Sequence, residues 1–294
     1  ENNPQNLISI KAGADSGFFV DSVYKWRSMK PLKSLIFYQG PSVLDGSDIL
    51  GILTGIDGTT SNRKTGRQIQ SWILPAHTSP MEAVKAGADA GICGDCPNRW
   101  HLNGSCYVLP FQAPQQIWKT ATSGRMPAIW QLSSRQLGQL AREFDRYSLR
   151  LGAYGDPGAI PESGWLPILD ITRTWTGFSH QWMNPDCQWL RGWCMASVES
   201  LEDAKTAQAM DWRSARTSID GKPARNEMLC LNYTRKEFTC EECIEFGSEC
   251  NGWRKNVVRP VHGKKASKFP YQKNIVGPWH GSRAGAVSKS ITNQ

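Results

Sequence analysis

Seven of the nine cysteines fall into two compact groups, and their spacing constrains this chain more than any other feature. The first group is Cys93, Cys96 and Cys106. The second group consists of four cysteines: Cys230, Cys240, Cys243 and Cys250. A CxxC loop holds two thiolates on one side of a metal, and more distant cysteines can close the ligand shell. Because disulfides need an oxidising compartment and the polar N-terminus shows no secretory leader, we expect both groups to bind metal.

The two groups differ in the ligand shell that they can complete. Three thiolates suffice for an iron–sulfur cluster with one iron open to a substrate or cosubstrate. A closed zinc shell at the first group would need a fourth ligand, for which His101 or Cys187 is available. The four cysteines of the second group can hold zinc or a second cluster without another ligand. We expect this second site to be structural.

The composition is that of a soluble globular protein, with 39% hydrophobic and 20% charged residues among 294. No run approaches the roughly 20 apolar residues of a membrane span, so we expect no membrane partner. The net charge of +8 is uneven, since the stretch 251–294 has nine Lys or Arg and no Asp or Glu. Such a stretch is either a solvated terminus or an electrostatic contact for a polyanion.

Contact with DNA or RNA is one interpretation of the basic residues. Aromatic residues such as Trp253 and Tyr271 are interleaved with the charges of the tail and could stack on bases. The polar loop 58–66 is expected to be a hairpin turn, with a phosphate or polynucleotide contact as the alternative. The candidate nucleic-acid-binding residues are Arg63, Lys64, Arg254, Lys255, Lys264 and Lys265.

Hydrophobic patterning predicts an α/β protein with three parts. These are an N-terminal wrapping segment at 1–33, a metal-binding βα barrel at 34–263 that includes the Cys-rich knuckle 230–250, and a basic, partly flexible tail at 264–294. In the first half of the barrel, strands are predicted at 34–44, 48–54 and 68–74, because these runs are rich in Ile, Leu and aromatic residues.

From residue 133 the chain alternates between strand and helix patterns. Capping signals at Ser133 and Ser200 begin two of the predicted helices. Strands are predicted at 149–154, 177–182, 193–199, 214–219, 227–231 and 257–263. Their spacing of about 20–25 residues is typical of parallel βα units. Because no GxGxxG fingerprint favours a nucleotide-binding open sheet, we expect a closed or partial βα (TIM-like) barrel with a Cys-rich metal-binding insertion near the C-terminus.

Three polar residues stand where predicted strands end: Asp156, His180 and Glu199. In a βα barrel this rim is where catalytic groups gather, so these are the candidate catalytic residues, and we expect the first cysteine group at the same mouth. Each also has a structural interpretation, as a turn or cap residue, a core histidine and a helix-dipole partner respectively. Tyr154 and Gln181 alternate with them along the strands and are expected to point to the other face of the sheet.

Four strings, CGDCPNR…GSCYV, LRLGAYGDPGAIP, TGFSHQW and CMASVES, resemble an uncharacterised family of bacteriophage-encoded proteins. The resemblance runs from residue 34 to residue 263, approximately, and implies a protein of the bacterial host's cytoplasm. More remotely, the cysteine triplet ending in Cys-Tyr and the Ser-Val-Glu strand end are similar to phage proteins related to radical S-adenosylmethionine enzymes. That similarity implies a 4Fe–4S cluster on Cys93, Cys96 and Cys106 and S-adenosylmethionine on its open iron. Those enzymes carry CxxxCxxC, whereas here CxxC is followed by a nine-residue gap.

Two functions stand as hypotheses from these observations. The first is a phage- or prophage-encoded iron–sulfur barrel enzyme, similar to radical S-adenosylmethionine enzymes, that acts on nucleic acid or a small metabolite. The second is a zinc-stabilised nucleic-acid-binding protein of phage DNA metabolism without catalytic activity. A weaker third alternative is a virion or host-takeover protein that uses the fold only as a binding surface. Neither GxSxG nor HExxH occurs, so ordinary hydrolase chemistry has no support.

Overall fold

The computed structural model describes residues 31–59, 62–235, 238–245, 250 and 256–269. The predicted segment 1–33 lies almost wholly outside these residues, as does most of the predicted tail 264–294. The strands are β1 (Ser34–Pro41), β2 (Asp48–Thr54), β3 (Ile69–Pro75), β4 (Leu149–Tyr154), β5 (Trp175–Ser179), β6 (Met195–Val198), β7 (Ser214–Ser218), β8 (Glu227–Leu229) and β9 (Asn256–Pro260). The α-helices are α1 (Pro80–Ala86), α2 (Ala90–Cys93), α3 (Ala113–Thr122), α4 (Ser134–Arg146), α5 (Glu162–Leu169), α6 (Leu201–Ala209), α7 (Leu231–Thr234) and α8 (Cys240–Glu245).

The strands form one mixed sheet, in the order β1-β2-β3-β4-β5-β6-β7-β9-β8. The first three strands pair antiparallel, and every pairing from β3 onward is parallel. Helices α5 and α6 connect consecutive parallel strands, as the alternating pattern predicts. The α/β class is therefore confirmed.

The sheet is open, so the expectation of a closed, TIM-like barrel is not met. Within the described residues β1 and β8 are the two edges and do not pair with each other. The outer edge of β1 is already covered, because the Ile36 N–H donates to the Pro127 carbonyl at 2.9 Å and Ile36 forms a bridge with Ala128. The strand predicted at 257–263 does not close a barrel either, since β9 lies between β7 and β8.

Apolar runs in β1, β2 and β3 build the densest part of the core. Leu35, Ile52, Leu53 and Ile73 are among the side chains there that are fully buried. Such continuous apolar strands are covered on both faces, which is why they read as unbroken hydrophobic runs. Trp165 of α5 is also fully buried and packs on β1, as part of a cluster that continues along the sheet to β6.

Local capping chemistry begins several of the helices. The Ser133 hydroxyl accepts from the Gln136 N–H at the start of α4, and the Ser200 hydroxyl accepts from the Asp203 N–H at the start of α6. Both predicted caps are therefore confirmed. Helix α1 was not predicted, although Ser79 begins it with the same capping box. No helix of the described ranges is both long and apolar enough to cross a bilayer.

Candidate functional site

The first cysteine group lies in the long connection between β3 and β4. Helix α2 ends at Cys93, and the chain then turns at Gly94, whose φ of 53° favours glycine. A Cβ atom at Gly94 would lie 2.4 Å from the side-chain nitrogen of Gln181, so a larger residue would have to displace that amide. The N–H of Cys106 donates to the Asn98 carbonyl at 3.0 Å, which folds Cys106 back toward the start of the loop.

A buried ion pair between Asp89 and Arg99 holds this loop in place. Arg99 Nη2 lies 2.9 Å from Asp89 Oδ1, and only 2% of the Asp89 side chain is exposed. The same guanidinium donates to the Gly94 carbonyl at 2.8 Å and to the Gly87 carbonyl at 3.3 Å. One planar cation therefore joins both ends of α2 to the cysteine loop.

A cavity of about 140 Å³ opens at the carboxyl ends of the parallel strands, and we call it the rim cavity. The thiols of Cys93, Cys96 and Cys106 line it, together with Asp156 and His180. The carboxyl ends of parallel strands meet at one edge of a sheet, so residues that follow β4 and β5 lie side by side there. The structure thus brings the first cysteine group to two of the candidate catalytic residues.

Asp156 is fully engaged in hydrogen bonds inside the protein. Its Oδ1 accepts from the Gly158 N–H at 2.9 Å and from the Ser179 hydroxyl at 2.7 Å, and its Oδ2 accepts from the His180 N–H at 2.7 Å. Burial raises the pKa of Asp156, while these hydrogen bonds and the charge of His180 oppose the rise. Because both oxygens are used, Asp156 caps the turn Pro157–Ala159 and positions His180.

A chain of polar side chains runs behind His180. Its Nε2 lies 2.8 Å from Glu199 Oε1, which also accepts from Asn98 Nδ2 at 2.7 Å. Asn98 Oδ1 in turn accepts from the Ser105 hydroxyl at 2.5 Å. The Cys96 thiol also lies near enough to the His180 imidazole to raise its pKa. The imidazole therefore connects the cysteine group to a buried carboxylate, and the structure brings all three predicted rim residues together.

Burial and mutual charge control the ionisation of this cluster. Burial raises the pKa of Cys93, and the Cys96 and Cys106 thiols raise it further. Burial likewise raises the pKa of the Cys106 thiol to about 11. Burial lowers the pKa of His180, but Cys96 and Glu199 together raise it well above its ordinary value. Because their pKa values are raised, the Cys93 and Cys106 thiols would lose their protons at neutral pH only with a cation nearby.

The expectation that Tyr154 points to the other face of the sheet is wrong. Tyr154 lines the rim cavity together with Asp156. Tyr154 is two positions before Asp156, and alternate residues of a strand share a face, so regular alternation already places both side chains on the same side. Gln181 is not part of the described lining, and its amide nitrogen donates to the Cys93 carbonyl at 3.3 Å. That contact joins the end of β5 to the cysteine loop.

Neither predicted fourth zinc ligand lines the rim cavity with the three thiols. His101 Nδ1 lies 3.0 Å from the Val84 carbonyl, so the ring is held beside α1. Cys187 is fully buried, with its sulfur 3.5 Å from the Gly158 carbonyl. The side chain that approaches the thiols instead is His180, which the sequence suggested only as a catalytic residue.

Comparison with other proteins leaves the family of this chain open. No family model, curated protein or solved structure matches it. The resemblance to bacteriophage proteins therefore stays a prediction, and the site is defined by its geometry.

The residues present fit a metal in their chemistry, although no shell is preformed. All nine cysteines belong to the described residues, and none of them forms a disulfide. Within the described ranges no group of three or more His, Cys, Asp or Glu side chains is arranged to hold a metal ion as it stands. Three thiols nevertheless share one cavity wall, and such a soft donor set suits iron–sulfur clusters or zinc. Metal binding at the first group therefore stays a prediction with a defined place.

The second cysteine group lies between β8 and β9. Cys230 follows β8, and α8 begins at Cys240, whose N–H donates to the Lys64 carbonyl at 2.9 Å. Burial raises the pKa of Cys250, and the thiols of Cys230, Cys240 and Cys243 raise it further. The four thiols are therefore neighbours, although most of the chain between α8 and β9 falls outside the described residues.

The polar loop 58–66 is the connection of the β2–β3 hairpin, as predicted. Arg63 and Lys64 are exposed on it. The end of the loop is tied to the second cysteine group, because Arg67 Nη2 pairs with Glu241 Oε1 at 2.8 Å. The β2–β3 hairpin therefore packs against the cysteine-rich segment.

The basic residues near the C-terminus have different surroundings. Lys264 is exposed, whereas the Lys265 ammonium lies 3.9 Å from the centre of the Trp100 ring. Phe269 is 3% exposed and lines the rim cavity, so residues 264–269 pack on the domain. Two candidates lie outside the described residues: Arg254 and Lys255. Contact of these residues with nucleic acid stays a prediction.

Sequence reasoning proposed Glu199 but missed three residues that organise the rim with it: Asp89, Asn98 and Arg99. Asn98 and Glu199 are 101 positions apart, and no spacing rule connects them. Asp89 and Arg99 are closer in sequence, but an acidic and a basic residue ten positions apart occur on many surfaces. Asp89, Asn98 and Arg99 lie in or beside the loop that carries Cys93 and Cys96, and this proximity is the signal that could have identified them.

His262 sits in a cationic and aromatic environment at the border of the rim cavity. Its ring stacks on Tyr107 with centres 4.9 Å apart, and its Nδ1 pairs with the Tyr233 hydroxyl. Burial lowers the pKa of His262 to about 4, assisted by the charges of Lys64, Arg259 and, less strongly, Arg150. The imidazole is therefore neutral in the folded protein at pH 7.

Replacing His262 with glutamine is expected to flatten the dependence of stability on pH. The unfolded chain takes up the proton near pH 6.5, and the folded chain does so only near pH 4. Stability is therefore lost as the pH falls through that window. Between about pH 7.5 and 5, the parent should lose about 1 kcal/mol more free energy of unfolding than His262→Gln, after allowance for solvent screening.

Urea denaturation at a series of pH values measures this difference. His77→Gln is the matched control, because His77 is an exposed histidine that pairs with the exposed Asp48. We expect that control to keep the pH dependence of the parent. Equal slopes in the parent and in His262→Gln would contradict the prediction.

Proposed function

We propose that this protein is an iron–sulfur enzyme whose centre is held by Cys93, Cys96 and Cys106. One observation carries the proposal: the three thiols share a cavity with His180 and Asp156 at the carboxyl ends of the parallel strands. Perturbed ionisable groups beside such a cavity are typical of catalytic sites. A substrate of nucleic-acid or small-metabolite type and a phage origin belong to the same proposal.

The side chains of the rim have distinct roles in this proposal. A cluster held by three thiolates supplies electron transfer and one open coordination position. His180 holds a proton between Glu199 Oε1 and the Cys96 side of the cavity. Asp156 is a positioning residue, since it binds the His180 backbone. Phe269 covers the cavity and excludes water.

The second cysteine group is proposed to be structural. It joins β8, the β2–β3 hairpin and β9, because Cys230 donates to the Val258 carbonyl and Cys240 donates to the Lys64 carbonyl, both at 2.9 Å. Zinc or a second cluster on these thiols would add its binding free energy to folding. S-adenosylmethionine as a cosubstrate of the first centre rests on the resemblance alone and stays a prediction.

Metal analysis of protein purified without oxygen tests the proposal. We expect a brown solution that absorbs near 400 nm, approximately, with iron and acid-labile sulfide bound to the chain. Replacing Cys93, Cys96 and Cys106 together with serine should remove the iron of this centre. The control is Cys194→Ser, since Cys194 is a buried cysteine outside the rim cavity. That variant should keep the full iron content.

The same measurement separates the two hypotheses. A colourless protein that contains zinc at both cysteine groups would contradict the iron–sulfur proposal and favour the zinc-stabilised binding protein. Iron content that is unchanged by the triple replacement would also contradict it, because the iron would then lie elsewhere. Circular dichroism of the triple variant shows whether the fold survives the loss of metal.

A further inference from the structure

A second cavity, of about 370 Å³, lies on the same face of the sheet as the rim cavity. On β4, β5 and β9 it is lined by Arg150, Thr176 and Val257, each two positions before a residue that lines the rim cavity. Because alternate residues of a strand share a face, the two cavities follow one another along the strands. The size is that of a small-molecule site, in the range of about 300–1,000 Å³. We call it the basic cavity.

Three cations line the basic cavity, Lys64, Arg150 and Arg259, and three cysteines of the second group line it with them, Cys230, Cys240 and Cys250. None of the three cations pairs with a carboxylate among the described residues. Arg150 donates to the Tyr107 hydroxyl at 2.5 Å, and the Arg259 guanidinium lies 4.5 Å from the centre of the Phe178 ring. Four thiolates around zinc carry about two negative charges, so three cations exceed what the second cysteine group needs. The excess favours an anionic ligand.

Gln68 adds an unpaired hydrogen-bond acceptor to this cavity. Its side chain is fully buried and lines the cavity, and its Nε2 donates to Thr176 Oγ1 at 3.2 Å. Its Oε1 has no hydrogen-bond partner in the part of the chain that the structure describes. Buried polar atoms are rarely left in this state, because an unmade hydrogen bond costs stability. The atom has almost no accessible surface, so an N–H or O–H group of a ligand would satisfy it after a small shift of the Gln68 side chain.

Aromatic side chains form the wall that the two cavities share. Tyr107, Phe178 and His262 line both of them. The rings of Tyr107 and His262 are stacked, and Tyr233 meets His262 edge-on with centres 5.5 Å apart. Flat walls of this kind accept the planar ring of a ligand.

We propose that the basic cavity binds a mononucleotide-like molecule, that is, a planar ring with hydrogen-bond donors joined to a phosphate or carboxylate. The anionic group lies among Lys64, Arg150 and Arg259, and a donor of the ring reaches Gln68. This inference rests on the proposed function, because it takes the ligand to be the substrate of the enzyme. The end of the substrate without the anion would pass Tyr107 and Phe178 and enter the rim cavity. A free nucleotide and the terminal nucleotide of a strand share this chemistry.

Calorimetry on the full chain, purified without oxygen, tests the proposal. The probes are the monophosphates of the four common nucleosides, the uncharged nucleosides, inorganic phosphate and a single-stranded oligonucleotide with a terminal phosphate. We expect at least one monophosphate to bind about tenfold more tightly than its nucleoside and than inorganic phosphate. Still tighter binding of the oligonucleotide would support the proposal and assign the ligand to a strand end. The proposal is overturned if no monophosphate and no oligonucleotide binds.

Variants of the cavity sharpen this test. Lys64→Gln and Arg259→Gln should each weaken monophosphate binding about tenfold, because each removes one charge from the anion site. Lys119→Gln is the matched control, since Lys119 is an exposed cation on α3 and is not among the described lining residues. Gln68→Leu should weaken monophosphate binding, because the contact to the base is lost, without changing the affinity for inorganic phosphate. Equal affinity in Lys64→Gln and Lys119→Gln would overturn the proposal, and Lys64 is exposed enough for that variant to fold.

Metal content measured on the same samples separates this inference from the proposed function. Monophosphate binding by a chain that holds no iron at Cys93, Cys96 and Cys106 would contradict the enzyme and leave the ligand site standing. Iron at that centre without monophosphate binding would overturn the ligand site alone. Loss of metal from the second cysteine group in Arg259→Gln, with no binding in the parent, would mean that the cations only balance thiolate charge.

Discussion

Replacing Arg99 with alanine is expected to lower the free energy of unfolding by about 3–5 kcal/mol. The change leaves the Asp89 carboxylate buried without its counter-charge. It also removes the donors to the carbonyls of Gly87 and Gly94. Urea denaturation followed by tryptophan fluorescence measures the loss, and the 13 tryptophans supply the signal. Because these bonds hold the loop that carries Cys93, we also expect the iron content to fall.

Two further variants show that the effect comes from the buried geometry. Arg99→Lys keeps the charge but loses the planar guanidinium group. Its free energy of unfolding should therefore lie between those of the parent and of Arg99→Ala. Arg146→Ala breaks an exposed pair with Glu143 and should cost less than about 1 kcal/mol. A loss in Arg99→Ala no larger than in Arg146→Ala would show that the Asp89–Arg99 pair does not organise the loop.

Replacing Asp156 with alanine is expected to lower the free energy of unfolding by about 3 kcal/mol. Three donors lose their acceptor in this variant, namely the N–H groups of Gly158 and His180 and the hydroxyl of Ser179. The release of a buried carboxyl whose pKa is raised by burial offsets part of the cost. Thermal and urea denaturation of the purified variant measure the loss.

Ser179→Ala is the reference variant with which the stability of Asp156→Ala is compared. It removes the hydroxyl that donates to Asp156 and accepts from the Gln181 N–H at 2.9 Å, so it should cost about 1–2 kcal/mol. A positioning role also predicts that the absorbance spectrum of the metal centre changes in Asp156→Ala, because His180 moves beside Cys96. If Asp156→Ala is as stable as Ser179→Ala and leaves the spectrum unchanged, Asp156 does not position His180.

The two cavities follow one another along the strands, so a substrate that spans both would bind in one defined orientation. The rim cavity is lined by the first cysteine group and His180, and the basic cavity is lined by Lys64, Arg150, Gln68 and cysteines of the second group, while Arg259 lines both. A substrate bound by its anion in the basic cavity would present its other end to the thiol centre. Recognition and chemistry would then be separated along the strands by about two residues, or roughly 7 Å of strand rise.

Local patterns in the sequence predicted most of the secondary structure. The apolar runs gave β2 and β4 with their observed ends, and the predicted caps at Ser133 and Ser200 begin α4 and α6. Leu140 and Phe144 face the core as the helical period predicts, although Leu137 is exposed. These features depend on neighbours within a few positions, so the residues themselves carry the information.

Strand order and closure could not be read in this way. The insertion of β9 between β7 and β8 and the cover of β1 by residues 127–128 depend on pairings between distant segments. The direction of Tyr154 was also misjudged, because Tyr154 and Asp156 are two positions apart and alternate residues of a strand share a face. Strand patterns specify which face is apolar, and they do not specify the neighbour.

For the candidate site, the sequence by itself determined the two cysteine groups and the polar residues at the strand ends. Cys93 and Cys96 are close because only two residues separate them, and His180 reaches the rim because it directly follows β5. Only the tertiary structure decided that His180, rather than His101 or Cys187, approaches the thiols. Only it joined the charges of Lys64, Arg150 and Arg259 in one cavity, because side chains from separate strands and loops meet there through packing that no sequence period encodes.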